Sequence, residues 1–183
     1  MNTLLFILWY FLPAGLANTA PIFAAKISWL KRFTYPLDFY KKLNEKRIFG
    51  DHKTIRGIVA GIVVGIFIAS LQSLLFSQAS MLKTFIPNSF AQINPIWFGF
   101  LSAMGALGGD AIKSFFKRQM SIASGKSWFP YDQIDYIVGG VLLTAIIYPL
   151  SFGQYVLLFV IWFLLHPIST IVGYILKLKD SPI

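Results

Sequence analysis

Residues 55–76 read IRGIVAGIVVGIFIASLQSLLF. Arg56 is the only charge in that run, and its length as a helix suffices to cross a hydrocarbon core of about 30 Å. Four more apolar stretches accompany it: Leu4–Ala25, Ile93–Gly109, Ile134–Leu150 and Gln154–Ile175. Ile93–Gly109 and Ile134–Leu150 are short for a bilayer, so their boundaries are soft. None of the five alternates in the manner of a lipid-facing barrel strand. The expectation is an all-α integral membrane protein with about five transmembrane helices, forming one membrane-embedded domain over residues 1–183. The first stretch has no basic segment before it and is long enough to span, so it is expected to be a retained helix rather than a cleaved signal.

Composition agrees. Of 183 residues, 56% are hydrophobic and only 13% charged, and mean hydropathy is +0.67. A soluble domain carries about twice that charge fraction. The chain has no cysteine, which excludes a disulfide framework, a thiolate nucleophile and a cysteine zinc site. Sixteen basic residues against seven acidic ones give a net charge of +9. In a membrane protein such an excess sets orientation, so nucleic acid is not an expected partner.

The cations alternate. Lys26, Lys31, Arg32, Lys41, Lys42, Lys46, Arg47, Lys53 and Arg56 crowd the first connection, whereas Lys83 stands alone in the second. Lys113, Lys117, Arg118 and Lys126 fall in the third, and Lys177 and Lys179 in the tail. Fifteen of the 16 cations, and all seven acidic residues, therefore share one side. By the positive-inside rule this predicts an N-terminus outside, a C-terminus in the cytoplasm, and long cytoplasmic loops at 26–54 and 110–133. The expected location is the cell membrane, multi-pass, with any active site facing the cytoplasm.

Three clusters on that side carry chemistry. In the run from Gly108 to Arg118, the residues Asp110, Lys113, Ser114 and Lys117 recur at i, i+3, i+4 and i+7 and share one helical face, with Arg118 at its edge. Carboxylate, hydroxyl and cations in one patch suit a magnesium–polyphosphate ligand. A solvated helix end with an Asp–Lys pair accounts equally well for the same residues. Next come Gly125-Lys126 and Pro130-Tyr131-Asp132-Gln133-Ile134-Asp135. Asp132 and Asp135 suit a helix start, as cap and first-turn anion, but with Asp110 they also supply the oxygen ligands that Mg²⁺ prefers. Third is Gly50-Asp51-His52-Lys53-Thr54-Ile55-Arg56-Gly57, where two cations and a hydroxyl begin a span; membrane anchoring explains them too. Asn18 with Pro21 inside the first span is a polar interruption of the kind that ties helices together or lines a cavity. No Walker loop, zincin spacing or Ser–His–Asp arrangement is present.

Taken in order, Asn18-Thr19-Ala20-Pro21, Pro36-Leu37-Asp38-Phe39, Gly50 to Gly57, Gly109-Asp110-x-x-Lys113-Ser114-x-x-Lys117-Arg118, Gly125-Lys126 and Pro130-x-Asp132-Gln133-x-Asp135 closely resemble the archaeal CDP-archaeol synthase family, over almost the whole chain. The resemblance implies a CTP-dependent cytidylyltransferase acting on 2,3-di-O-geranylgeranylglyceryl phosphate, a polyprenyl glyceryl ether phosphate lipid, within the bilayer. It implies Mg²⁺ at Asp110, Asp132 and Asp135, which with Lys113 and Lys117 form the expected catalytic set. Lys53, Arg56, Lys113, Lys117, Arg118 and Lys126 are expected to divide between the CTP phosphates and the lipid phosphate. Thr54 and Ser114 are expected to donate to phosphate oxygens, and Asn18 to line the cavity. A small transporter or channel, or a basic membrane scaffold without catalysis, is the competing expectation.

Overall fold

A computed structural model describes residues 2–123 and 126–175; Gly125, Lys177 and Lys179, singled out above, lie outside the described residues. The apolar stretches are helices, each started by local chemistry. Helix α1 (Thr3–Lys26) begins where Asn2 Oδ1 accepts the Leu5 N–H. Helix α2 (Ile55–Gln78) begins at Thr54, whose hydroxyl oxygen accepts the Gly57 N–H at 3.1 Å. The short helix α3 (Asn88–Ala91) precedes α4 (Pro95–Gln119), which is capped by Asn94 Oδ1 on the Ile96 and Trp97 N–H groups. Helix α5 covers Tyr131–Thr144. Before α6 (Phe152–Ile175), Ser151 and Gln154 exchange reciprocal side-chain to backbone bonds, a capping box. By length and composition α1, α2 and α6 are each able to cross a membrane.

Two boundaries differ from expectation. The helix that carries the third apolar stretch runs on past Gly109: α4 continues to Gln119, so the helical face over Asp110–Lys117 is part of it rather than of a separate connection. The run expected over Ile134–Leu150 is displaced toward the N-terminus as α5, because Pro149 lacks an N–H and its ring would meet the carbonyl one turn back. Strand structure, absent from the sequence reading, occurs as a minimal hairpin in the first charged connection: β1 (Lys42–Leu43) pairs antiparallel with β2 (Lys46–Arg47). Asn44 and Glu45 turn it at φ of 49° and 65°, the left-handed pair that matches strand twist.

Packing is organised around α4, which meets α1, α2 and α5. Lipid tails are as apolar as leucine, so close backbone approach rather than water exclusion joins these helices, and glycines permit it. A Cβ on Gly99 would lie 2.4 Å from the Gly65 carbonyl oxygen, and one on Gly105 2.4 Å from that of Gly139. At the end remote from the charges, Phe6, Tyr10, Phe90, Phe98 and Tyr148 form an edge-on aromatic cluster, pinned by Tyr10 Oη donating to the Tyr148 carbonyl at 2.9 Å. Most of α6 faces outward, apart from residues such as Leu158.

Candidate active site at the charged helix ends

The first charged connection folds back over the helix ends. Leu37 N–H donates to the Lys53 carbonyl at 2.7 Å and Ile55 N–H to the Tyr35 carbonyl at 3.0 Å. Its interior is Asp38, whose side chain is fully buried. Arg47 reaches the two carboxylate oxygens through Nη2 (2.7 Å) and Nε (3.2 Å), while the Tyr40, Phe49 and Gly50 N–H groups also donate to them. Burial opposes the charge on Asp38, but Arg47 and these backbone donors outweigh it and hold the carboxyl down at about 2. Lys46 Nζ ties the hairpin to α4 by donating to the Gln119 carbonyl at 2.6 Å. The clamp has a sequence signal only in the Pro36-Leu37-Asp38-Phe39 motif; in the sequence Lys46 and Arg47 stand out only as members of the basic first connection.

This fold-back delivers Lys53 to the cluster on α4 and α5. Lys53 Nζ forms an ion pair with Asp110 Oδ2. Lys113 stands at the centre: its ammonium lies 3.0 Å from Asp110 Oδ1, 2.9 Å from Asp132 Oδ1 and 2.7 Å from Asp135 Oδ2. An ammonium has three protons, and here three carboxylates surround it. Lys117, itself buried, donates to the Lys126 carbonyl and lies 3.3 Å from Asp132 Oδ1. Three carboxylates therefore meet three ammonium groups in one compact cluster.

The remaining expected residues take several positions. Ser114 donates to the Asp110 carbonyl one turn back at 2.8 Å, so its proton serves α4. Thr54 caps α2 as an acceptor, which leaves its proton for another partner. Arg56 lies outside the carboxylate cluster and donates to the Leu30 carbonyl at 3.1 Å. Arg118 packs beside Gly50, its Cδ 3.4 Å from where a Gly50 Cβ would stand; with φ at +87°, that position favours glycine. The Lys126 side chain is exposed. Asn18 sits one turn beyond Ala14 on the face of α1 that meets Gly140 of α5. Among the described residues, Asn18 Oδ1, Arg56 Nε, Arg118 Nε and Gln133 Oε1 are buried polar atoms without a hydrogen-bond partner. Buried polar atoms are nearly always paired, so these four carry hydrogen-bonding capacity that the described residues leave unused. Gln133 stands in the Pro130-x-Asp132-Gln133-x-Asp135 motif, which by itself points to no role for it; its burial shows only in the fold.

The donor set suits a hard cation, because Asp110, Asp132 and Asp135 converge and carboxylate oxygen is the ligand Mg²⁺ prefers. Among the described residues no three acidic or histidine side chains form a ready-made metal cage.

The chain that carries this cluster has relatives among known proteins. The CarS-like CDP-archaeol synthase family model matches residues 1–183, the full sequence. The chain belongs to the CDP-archaeol synthase family. The CDP-archaeol synthase of Methanospirillum hungatei is 36% identical over 155 residues, covering 80% of this chain and 89% of that protein. Those of Methanopyrus kandleri and Pyrococcus furiosus are 33% and 31% identical, covering 96% and 100% of this chain and 91% and 99% of theirs. A solved intramembrane enzyme for archaeal membrane lipid biosynthesis superposes with a TM-score of 0.71 at 27% identity, over 90% of this chain and 92% of that one. As a member of the CDP-archaeol synthase family the chain is a membrane-embedded enzyme, a nucleotidyltransferase.

Proposed function

We propose that the chain transfers CMP from CTP to the phosphate of 2,3-di-O-geranylgeranylglyceryl phosphate, giving the unsaturated CDP-archaeol and pyrophosphate with Mg²⁺ as cofactor. The observation that carries this reading is the cluster around Lys113, where three carboxylates and three ammonium groups meet at the membrane helices' charged ends. An oxygen of the lipid phosphate attacks the α-phosphorus of CTP; as that bond forms, the bond to the β-phosphate oxygen breaks, and pyrophosphate leaves with the electron pair. The nucleophile is already an anion, so no strong general base is needed, and neither histidine of the chain has to act. The task is to hold two polyanions together, which is electrostatic work. Asp110, Asp132 and Asp135 would hold Mg²⁺, which would neutralise charge on the triphosphate. Lys53, Lys113, Lys117, Arg118 and Lys126 would take the phosphates, Thr54 has a proton to offer, and Asn18 and Gln133 carry buried amide oxygens without a partner.

The test is pyrophosphate release by the purified protein with CTP, Mg²⁺ and the lipid phosphate, each omitted in turn. Release that requires all three, with CDP-lipid formed, is the expected result. A folded sample with well-presented lipid and no release would overturn the proposal.

The reading also places α1, α2, α4, α5 and α6 across the bilayer, N-terminus outside and the charged cluster cytoplasmic, supported by 15 of 16 cations on alternate connections. Because the sequence has no cysteine, single introduced thiols report topology directly. In intact cells an impermeant maleimide is expected to label Lys83→Cys and not Lys41→Cys. The reverse pattern would invert the topology, and labelling of both would break the five-span assignment.

A further inference from the structure

Between residues 27 and 53 the interior is not apolar: only Pro36, Asp38 and Gly50 are buried. Phe39, Tyr40 and Leu43 are exposed, and the two-residue strands β1 and β2 are too short to hold themselves together. The group that organises this connection is the carboxylate of Asp38. Its Oδ1 accepts from Arg47 Nη2 at 2.7 Å and from the Tyr40 N–H at 3.1 Å. Its Oδ2 accepts from the Phe49 N–H at 2.9 Å, the Gly50 N–H at 3.1 Å and Arg47 Nε at 3.2 Å. Arg47 is fixed from two further sides, by Asp51 Oδ1 at 2.6 Å and by the Tyr40 ring, whose centroid lies 4.9 Å from the guanidinium carbon. Lys53 follows directly. Its N–H donates to the Gly50 carbonyl at 3.4 Å, its carbonyl accepts from the Leu37 N–H, and an antiparallel bridge between Pro36 and Thr54 flanks it. The Lys53 backbone is therefore tied on one side to the turn that Asp38 grips and on the other to the residues just before Asp38. Its ammonium reaches Asp110.

We infer that Asp38 is a positioning residue for the transfer reaction and acts through Lys53: the Asp38–Arg47 clamp holds the 49–53 turn so that the Lys53 ammonium stands at Asp110. The inference rests on the proposed reaction, in which Lys53 takes phosphate. The polar partners of Asp38 lie between residues 40 and 50, so among the described residues it makes no hydrogen bond or ion pair with the cluster around Lys113. It is not a catalytic group. A lysine carries a compact charge on a long flexible stem, so the place of that charge depends on where its backbone is held. A buried polar network with every member satisfied rigidifies and specifies one arrangement. It adds less stability than an apolar interior, because desolvation of the carboxylate offsets what the ion pair returns. Rigidity is what Asp38 contributes to this connection, and Lys53 is the charge that the connection hands to the carboxylates.

Asp38→Asn keeps the shape of the side chain but turns one acceptor oxygen into an NH2 group facing N–H donors, so the turn loses its anchor. It is expected to lower kcat for CMP transfer about tenfold to a hundredfold, as a misplacement of about 1 Å does. Lys53→Met is expected to cost about a hundredfold, as loss of a preorganised charge does. The double variant decides between positioning and a general structural role. With the Lys53 ammonium gone, Asp38→Asn should lower kcat no further, to within about twofold, whereas independent effects multiply. A double variant reduced by the product of the two single losses, or an Asp38→Asn variant with full kcat, would overturn the inference and leave the reaction standing. Where Asp38→Asn does not fold, Arg47→Lys takes its place in the same cycle, since it keeps the charge and loses the planar fork. A wild type without turnover overturns the reaction itself. A spectroscopic readout is independent of turnover. Because the chain has no cysteine, a nitroxide on His52→Cys, an exposed position beside Lys53, reports the turn alone. Its electron paramagnetic resonance spectrum is expected to be motionally restricted with Asp38 present and mobile in Asp38→Asn. A nitroxide on Lys83→Cys, beyond the other end of α2, should keep one line shape in both. A spectrum at position 52 indifferent to Asp38 would overturn the inference, and so would a change at both labels, which would mean that the helices themselves depend on this carboxylate.

Discussion

Replacing Lys113 by methionine is expected to abolish CMP transfer and to lower thermal stability by several degrees. The side chain is 13% exposed, and the carboxylates of Asp110, Asp132 and Asp135 around it are 19%, 17% and 6% exposed. Methionine keeps the bulk of the stem and removes the charge, so three carboxylates facing one point lose their common counterion. Removing one partner from a buried ion pair costs about 3–5 kcal/mol, and the exposed edges of Asp110 and Asp132 place this case toward the lower end of that range. Activity should fall by about a hundredfold or more, as for the loss of a preorganised electrostatic group. A second readout follows from the same geometry. In Lys113→Met a divalent cation supplies the missing positive charge, so Mg²⁺ alone should raise the midpoint of unfolding more than it does in the wild type. Thermal unfolding in detergent, with and without Mg²⁺, checks both statements. A variant with unchanged midpoint and unchanged turnover would show that the ammonium does not organise the carboxylates.

Gly109→Ala should be nearly as damaging, although it removes no functional group. A Cβ there would stand 2.1 Å from the Asp135 carbonyl oxygen and 2.9 Å from its carbonyl carbon. Both are backbone atoms of α5, so no side-chain rotation relieves the clash and the helices must separate. Overpacking of this kind costs about 1–3 kcal/mol. The larger effect is positional: Gly109 precedes Asp110, and the clash is with Asp135 itself, so two of the three carboxylates shift relative to the third. A misplacement of about 1 Å can cost about a hundredfold in rate. The neighbouring residue is the control, because a Cβ on Gly108 meets nothing within 4 Å. Gly108→Ala should therefore retain activity and stability. Equal behaviour of the two variants, measured by turnover and unfolding midpoint, would refute this account of the α4–α5 contact.

Both expectations depend on features that differ in how far the sequence reveals them. The face carrying Asp110, Lys113, Ser114 and Lys117 was legible because helical spacing is a local property, and α4 continues through all four. That this face continues the same helix as the apolar stretch before it was not: the span was expected to end at Gly109 and a connection to begin at Asp110. Charge ends a hydrocarbon span, but it does not end a helix. The α5 boundary failed for a related reason, since apolar character continues to Leu150 while Pro149 stops the backbone earlier. Ser114 shows a further limit. Its hydroxyl was expected to face phosphate, yet a serine within a helix competes for the carbonyl one turn back, and here it donates to Asp110.

By itself the sequence determined that this chain is helical and built for a membrane, because long uncharged runs and the distribution of lysine and arginine are properties of the chain, independent of what packs on what. It also brought the chemistry-bearing residues to one end, since they flank the same ends of the apolar runs. Only the tertiary structure decided that Asp110, Asp132 and Asp135 converge on Lys113, that Arg47 clamps a buried Asp38, and that Arg56 lies outside that cluster, donating to the Leu30 carbonyl. Ion pairing acts over a few ångströms, and which charges come that close depends on how nearly the helix backbones approach. Glycines at Gly105, Gly109 and Gly139 set that approach for α4 and α5, and their effect appears only when both helices are in place.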